Sequence, residues 1–343
     1  MQCLKALKAA KRFLSYQTHK TGRCVILEIS AICNAQCAYC QTGFNNRNGS
    51  ACKENPFISV ELFTRIVQYL KNQRFLTAGT LLNLYSWGEP LLHPEFATLV
   101  RIATQEQCLL GFSTNANYLP KLPKNFDASH IAVIYISMPG FSQASYDKIH
   151  RFDFEHIKAN IRRLVQDFRS HGFFGIFDIR FHVYRFNQDE IARAQAFAQS
   201  IGIAFHPYYA YINDGTRVAR YFQGTLEEDY RQQAADDLFM DYYDPYFKPS
   251  ITCPMLNRTY LNVHGNCTLC CMNETTVGSI FDHTLDSLTK ARDQHPACQA
   301  CRQSGLASVM NTCINYDFTL NDTSAKGLRY FYQCLKTCFL PHK

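Results

Sequence analysis

No run of about 18 apolar residues occurs in the 343-residue chain, which excludes a membrane-spanning helix on sequence grounds. There is no dense basic block either. The 35 basic and 28 acidic residues leave a formal charge of +7, a mild bias toward anionic ligands but not the footprint of a nucleic-acid binder. No segment is of low complexity, and no short fixed-period repeat is present. The first 23 residues contain no acid, as in many transit peptides, yet Leu4, Leu7, Phe13 and Leu14 fit an ordinary amphipathic helix. A helical lead-in over 1–22 is the expectation. No apolar stretch with a cleavage site follows it, which argues against secretion.

Hydrophobic residues make up 47% of the chain, enough for a large core, and there are 16 cysteines. In a chain of this length without a secretory signal, so many thiols point to metal or redox use in a reducing compartment, hence a cytoplasmic protein, and not to a disulfide framework.

The hydrophobic pattern alternates between two periods. Apolar runs at 24–30, 80–86, 108–113, 131–137, 176–184 and 203–209 read as strands. Helical faces at 59–70 (with Ser59 as N-cap), 95–106, 154–168 and 188–201 lie between them. Such alternation predicts right-handed crossovers and a parallel sheet covered on both faces. The fold class expected is α/β: a partial (β/α)6 TIM-like barrel over 23–210, then an aromatic and acidic linker with some helix over 211–250. A small cysteine-rich α+β iron–sulfur domain over 251–343 completes the chain.

In parallel β/α architectures ligand chemistry gathers beyond the C-terminal strand ends. The unusual residues of this sequence all fall there: Cys33, Cys37 and Cys40 after strand one, then Trp87-Gly88-Glu89-Pro90 after strand two. Ser113-Thr114-Asn115 ends strand three, Ser137 to Gly140 strand four, and Arg185 and Asn187 follow strand five. Cys33-x3-Cys37-x2-Cys40 gathers three thiols in one loop. Three thiolates can hold three irons of a cubane and leave the fourth open to a chelating ligand. A closed zinc site would need a fourth ligand, and Cys52 lies twelve residues on.

The C-x3-C-x2-C array, with Tyr39 before its last cysteine, resembles the radical S-adenosylmethionine (radical SAM) superfamily. "WGEP" at 87–90, "STN" at 113–115 and the six β/α units support the resemblance over about residues 23–210. It implies a [4Fe–4S] cluster on Cys33, Cys37 and Cys40 whose open iron is chelated by S-adenosylmethionine. One-electron cleavage then yields a 5′-deoxyadenosyl radical that abstracts hydrogen from an unactivated carbon. Gly88-Glu89 occupies the family's Gly-Gly-Glu position, with Trp87 replacing the first glycine, and would hold the methionine amino group. Ser113 and Asn115 would contact the carboxylate or ribose, Ser137 the ribose hydroxyls, and Arg180 or Arg185 the carboxylate.

The later cysteines, Cys253, Gly265-x4-Cys270 and Cys298-x2-Cys301, resemble the SPASM or shorter twitch extension of some superfamily members. The resemblance implies one auxiliary [4Fe–4S] cluster on Cys253, Cys270, Cys298 and Cys301, with Cys267, Cys271 and Cys313 as possible replacements. A zinc ribbon from the same four cysteines is the alternative. Residues 261–266 read as a hairpin that sets Cys270 opposite Cys253. Cys108 and Cys313 are candidate hydrogen donors to a product radical. Cys3, Cys24, Cys52, Cys334 and Cys338 read as small buried hydrophobes.

The expected activity is oxidation or epimerisation of a small molecule such as a sugar or aminoglycoside-type compound. A reducing partner such as flavodoxin or ferredoxin is implied. Radical modification of a ribosomally made peptide is the second expectation, placed lower because little sequence precedes strand one for a leader-binding domain. A non-catalytic iron–sulfur or zinc scaffold is the third.

Overall fold

A computed structural model describes residues 23–49 and 54–315, the last five by backbone only. The expected lead-in helix, Cys3, Cys52, Cys334 and Cys338 lie outside the described residues.

Alternation of apolar strands with amphipathic helices builds the first two thirds. β1 (Cys24–Leu27), β2 (Leu81–Asn83), β3 (Leu109–Thr114), β4 (Ile131–Met138), β5 (Ile176–Val183) and β6 (Ala204–Tyr209) are parallel neighbours in sequence order. Between them run α1 (Gln41–Arg47), α2 (Val60–Asn72), α3 (Phe96–Gln105), α4 (Gln143–Lys148), α5 (Phe154–Ser170) and α6 (Ile191–Ser200). The helices begin where side chains replace missing backbone acceptors: Ser59 Oγ accepts from the Leu62 N–H and Asp153 from the His156 N–H. α5 then buries Phe154, Ile157, Ile161, Leu164 and Phe168 along one stripe against the sheet. Each such side chain contributes about 2 kcal/mol of burial. The α/β class and the largely parallel sheet of a partial barrel follow as the alternation predicts.

The cysteine-rich segment extends the same sheet. β7 (Arg258–Leu261) lies parallel beside β1, with Cys24 opposite Arg258 and Ile26 opposite Tyr260. β8 (Asn266–Cys270) and β9 (Asn273–Ser279) follow antiparallel, giving the order β6-β5-β4-β3-β2-β1-β7-β8-β9. The turn between β7 and β8 ends at Gly265, whose φ of +77° suits a residue without Cβ. Helices α10 (Leu285–Asp293), α11 (Pro296–Gln303) and α12 (Leu306–Asn315) complete the described chain.

Residues 211–250, read from composition as a linker with some helix, fold into α7 (Gly215–Phe222), α8 (Glu228–Asp237) and α9 (Met240–Tyr243). They form a second apolar core with Ala38, Tyr39, Tyr184, Met255, Tyr260, Met272 and Val309. The tyrosines of this segment therefore cover the loop that carries the first three cysteines. Tyr39 Oη donates to Asp237 (2.7 Å), Tyr230 Oη to the Ala38 carbonyl (3.1 Å), and the Asn213 N–H to the Tyr39 carbonyl (2.7 Å).

Candidate active site

The loop after β1 is shaped by its neighbours' backbones. Asn46 on α1 donates to the carbonyls of Cys33 (2.8 Å) and Ala35 (2.7 Å), and Arg47 to those of Gln36 and Ile149. Gly43 packs so closely that a Cβ there would stand 2.4 Å from the Cys37 nitrogen. Cys33, Cys37 and Cys40 consequently line one cavity of about 250 Å³ and feel one another's charge. Burial pushes the Cys33 thiol up to about 12 and raises Cys37 and Cys40 as well. Three thiols buried together cannot all ionise unless a cation takes up the charge. That is the condition an iron–sulfur cluster meets, so this donor set fits one.

The turn after β2 is locked onto the same loop. Glu28 accepts from the Trp87 N–H (3.0 Å), and the Glu89 N–H donates to the Ile32 carbonyl (2.8 Å). A Cβ on Gly88 would sit 2.0 Å from the Ser30 carbonyl, so the close approach that requires this glycine is to its own chain. Glu89 is 3% exposed and accepts from the N–H groups of Leu91 (3.1 Å) and Asn115 (2.8 Å). Burial raises it to about 7, against the lowering effect of these donors. Asn115 also donates to Asn34 (2.8 Å) and lies 3.6 Å from the Cys33 sulfur. Ser113 and Ser137 face each other at 3.4 Å on adjacent strands.

The structure separates the two candidate arginines. Arg180 faces the cavity, 4.7 Å above the Tyr135 ring, with Asp178 behind it at 2.9 Å. Arg185 lies past the end of β5 and outside the cavity; it donates to the Leu238 carbonyl (2.9 Å) and pairs with Asp241. Cys108 belongs to the core between sheet and helices, not to the cavity wall, which removes it from reach of a cavity ligand. Cys313 falls on α12, but its side chain lies outside the described residues.

The cavity continues into the barrel, where Asn83, His150, His182 and Arg258 escaped sequence reasoning; Cys24, read as a small buried hydrophobe, and Cys271, read as a replacement auxiliary ligand, line it too. Asn83 Oδ1 and His150 Nδ1 are buried with no hydrogen-bond partner among the described residues. Such orphaned groups cost about 1–3 kcal/mol each unless a ligand satisfies them. Asn83 carried a usable signal, a polar residue inside the apolar run "LLNLYS". So did the period-two polar face Asp178, Arg180, His182 within "IFDIRFHVY".

The second cysteine set lies around the β7–β8 hairpin. Burial raises the thiols of Cys270, Cys298 and Cys301; the charge of Cys271, then of Cys253 and Cys301, adds to it at Cys270, and that of Cys253 at Cys298 and Cys301. Cys267, the residue next in line, is buried in the core on the opposite face of β8, and Cys271 turns to the barrel cavity. Arg292 on α10, 2% exposed, braces the region by donating to the carbonyls of Leu269 (2.8 Å) and Met255 (2.7 Å) and to that of Arg258. Among the described residues no group of three or more His, Cys, Asp or Glu is drawn together at the radius of a single metal ion. No helix among them is long and apolar enough to cross a membrane.

Comparison with solved structures places the architecture. anSMEcpe with bound AdoMet superimposes with a TM-score of 0.52 at 14% identity, over 91% of this chain and 96% of that one. Streptococcus suis SuiB bound to precursor peptide SuiA gives 0.51 at 14% identity, over 81% of this chain and 66% of that one. The chain thus spans just under two thirds of SuiB. At these identities the likeness concerns the fold alone. No curated protein matches the sequence. The family profile described as the Radical SAM superfamily matches residues 27–198, from the last residue of β1 through most of α6 and across the whole cysteine loop. With half of its length so matched, the chain belongs to the Radical SAM superfamily.

Proposed function

We propose that Cys33, Cys37 and Cys40 hold the [4Fe–4S] cluster that the family implies, and that the protein acts on a small polar substrate inside the barrel. The observation that supports this most is the single cavity shared by the three thiols, Gly88-Glu89, Ser113, Asn115, Ser137 and Arg180. When bound, cluster and S-adenosylmethionine supply a one-electron cleavage and a carbon-centred radical able to take hydrogen from an unactivated carbon.

The chain's own residues position and shield that chemistry. Glu89, fixed by two backbone donors, offers its carboxylate to the methionine ammonium. Asn115 and Arg180 are set for its carboxylate, and Ser113 and Ser137 for the ribose hydroxyls. Trp87 and the tyrosines of the 211–250 cover exclude water from the cavity. Cys253, Cys270, Cys298 and Cys301 are the proposed ligands of one auxiliary cluster, which suits two-electron oxidation by accepting the electron left after hydrogen abstraction. A low-potential carrier such as flavodoxin or ferredoxin in the cytoplasm would supply the first electron.

Oxidation or epimerisation of a sugar-type or aminoglycoside-type compound is the preferred reading. Modification of a peptide side chain is the second, favoured by the fold likeness to SuiB, a structure holding a precursor peptide. The test is anaerobic reconstitution with iron and sulfide counting. About eight irons per chain are expected for two clusters, with 5′-deoxyadenosine released on reduction in the presence of S-adenosylmethionine. A preparation loaded with iron that never releases it under any reductant would return the protein to a scaffold role.

A further inference from the structure

Among the described residues, the cavity lining holds one carboxyl group, Glu89, and two guanidinium groups, Arg180 and Arg258. Glu89 is buried and tied to the N–H groups of Leu91 and Asn115. The Asp178 carboxylate is fully buried behind Arg180, where it is shared with His206 at 2.6 Å. Burial holds the wall histidines neutral, His150 at about 3 and His182 at about 4, the latter lowered further by Arg180. Apart from Glu89, therefore, the described residues of the lining present two guanidinium groups and no carboxylate.

A second observation is independent of charge. Asn83 on β2 is 2% exposed, yet its Oδ1 has no partner among the described residues. Space for it is kept by Gly111, its register neighbour on β3, where a Cβ would stand 2.5 Å from that oxygen. Asn83 and Arg258 share one wall. Asn83 is opposite Ile26, Ile26 is opposite Tyr260, and strand alternation turns Arg258 and Tyr260 to the same side. Arg258 is hydrogen-bonded to Tyr260, which steadies its guanidinium there.

We propose that the β2–β1–β7 wall anchors the substrate, and that it recognises an oxyanion on Arg258 together with a hydrogen-bond donor on Asn83. This deepens, and rests on, the radical SAM reading of the same cavity. It selects an acidic substrate group over the cationic amine of an aminoglycoside-type compound, because an ammonium placed there would meet the Arg258 guanidinium away from bulk water.

The test is calorimetric binding to anaerobic holoenzyme saturated with S-adenosylmethionine. One arm compares glucuronate, glucose and glucosamine; the other compares the N-acetyl amides of aspartate, asparagine and lysine. The acid of one arm should bind at least about tenfold tighter than its basic counterpart, and the arm that shows it distinguishes a small acid from an acidic peptide side chain. Arg258→Gln should erase the preference, and Asn83→Leu should weaken the acid and neutral members together. Equal or tighter binding of the base, binding by neither arm, or an Arg258→Gln effect on S-adenosylmethionine instead of the acid would overturn the assignment. Reduction of the same wild-type preparation without added substrate keeps the two readings apart. Absence of 5′-deoxyadenosine sinks the radical reading, whereas its presence without an anion preference sinks only this one.

Discussion

The two cysteine groups of this chain are built on different principles. Cys33, Cys37 and Cys40 lie within eight residues of sequence. Mostly local contacts hold their loop, Asn46 and Arg47 to its carbonyls and Gly43 against Cys37, with Gly88 of the turn after β2 closing on Ser30. Cys253, Cys270, Cys298 and Cys301 are spread over nearly fifty residues. Cys270 ends a hairpin strand, Cys298 and Cys301 share one helix, and the buried Arg292 ties the hairpin to the neighbouring backbone. The first group is a local device that the sequence announces by spacing. The second is a tertiary one whose assembly depends on packing far from any thiol.

The strongest way to break that comparison is to remove one thiol from each group. Cys33→Ala should abolish 5′-deoxyadenosine formation outright. Cys253→Ala should lower the iron content toward about four per chain while cleavage of S-adenosylmethionine persists. If both variants lost cleavage equally, the groups would not be separable.

Arg292→Met probes the tertiary device without touching a thiol. It leaves the Leu269, Met255 and Arg258 carbonyls without their buried donor, at a cost of about 3 kcal/mol in denaturant unfolding. Iron should be lost from the second group preferentially. Gly88→Ala is the matching probe of the local device. Its methyl must displace the Ser30 carbonyl, for about 2 kcal/mol of destabilisation, and the iron lost should come from the first group.

The mildest probe is pH. Burial favours the neutral form of Glu89, so its carboxylate predominates only above about 7. Binding that requires the carboxylate must weaken as pH falls through that value, by about tenfold in Kd per pH unit. Titrating S-adenosylmethionine into wild type and Glu89→Gln at several pH values checks this, and the variant should show a flat profile.

How much could be read beforehand follows the same division. The strand–helix alternation was legible because each element carries its own period, as in β4, where every residue but Ser137 is buried. The cysteine loop and the "WGEP" turn were legible because their residues are neighbours in sequence. The hairpin around Gly265 was legible too, but the seating of β7 was not, since a four-residue strand gains its place only by pairing with β1, more than 200 residues earlier. The choice between Arg180 and Arg185 depended on where β5 stops, and on Asp241 being present to draw Arg185 outward. His150 gave no signal, because nothing in its own stretch of sequence marks it as a residue of the cavity wall.

The seating of β7 against β1 also has a bearing on how the protein can be cut. Removing everything after residue 250 would strip the partner from one side of β1 and bare a row of unpaired amides and carbonyls beside the cysteine loop. Such a truncation should clump with copies of itself before it could be assayed. Studies of residues 1–250 in isolation would then need the remainder supplied as a separate polypeptide to heal the seam.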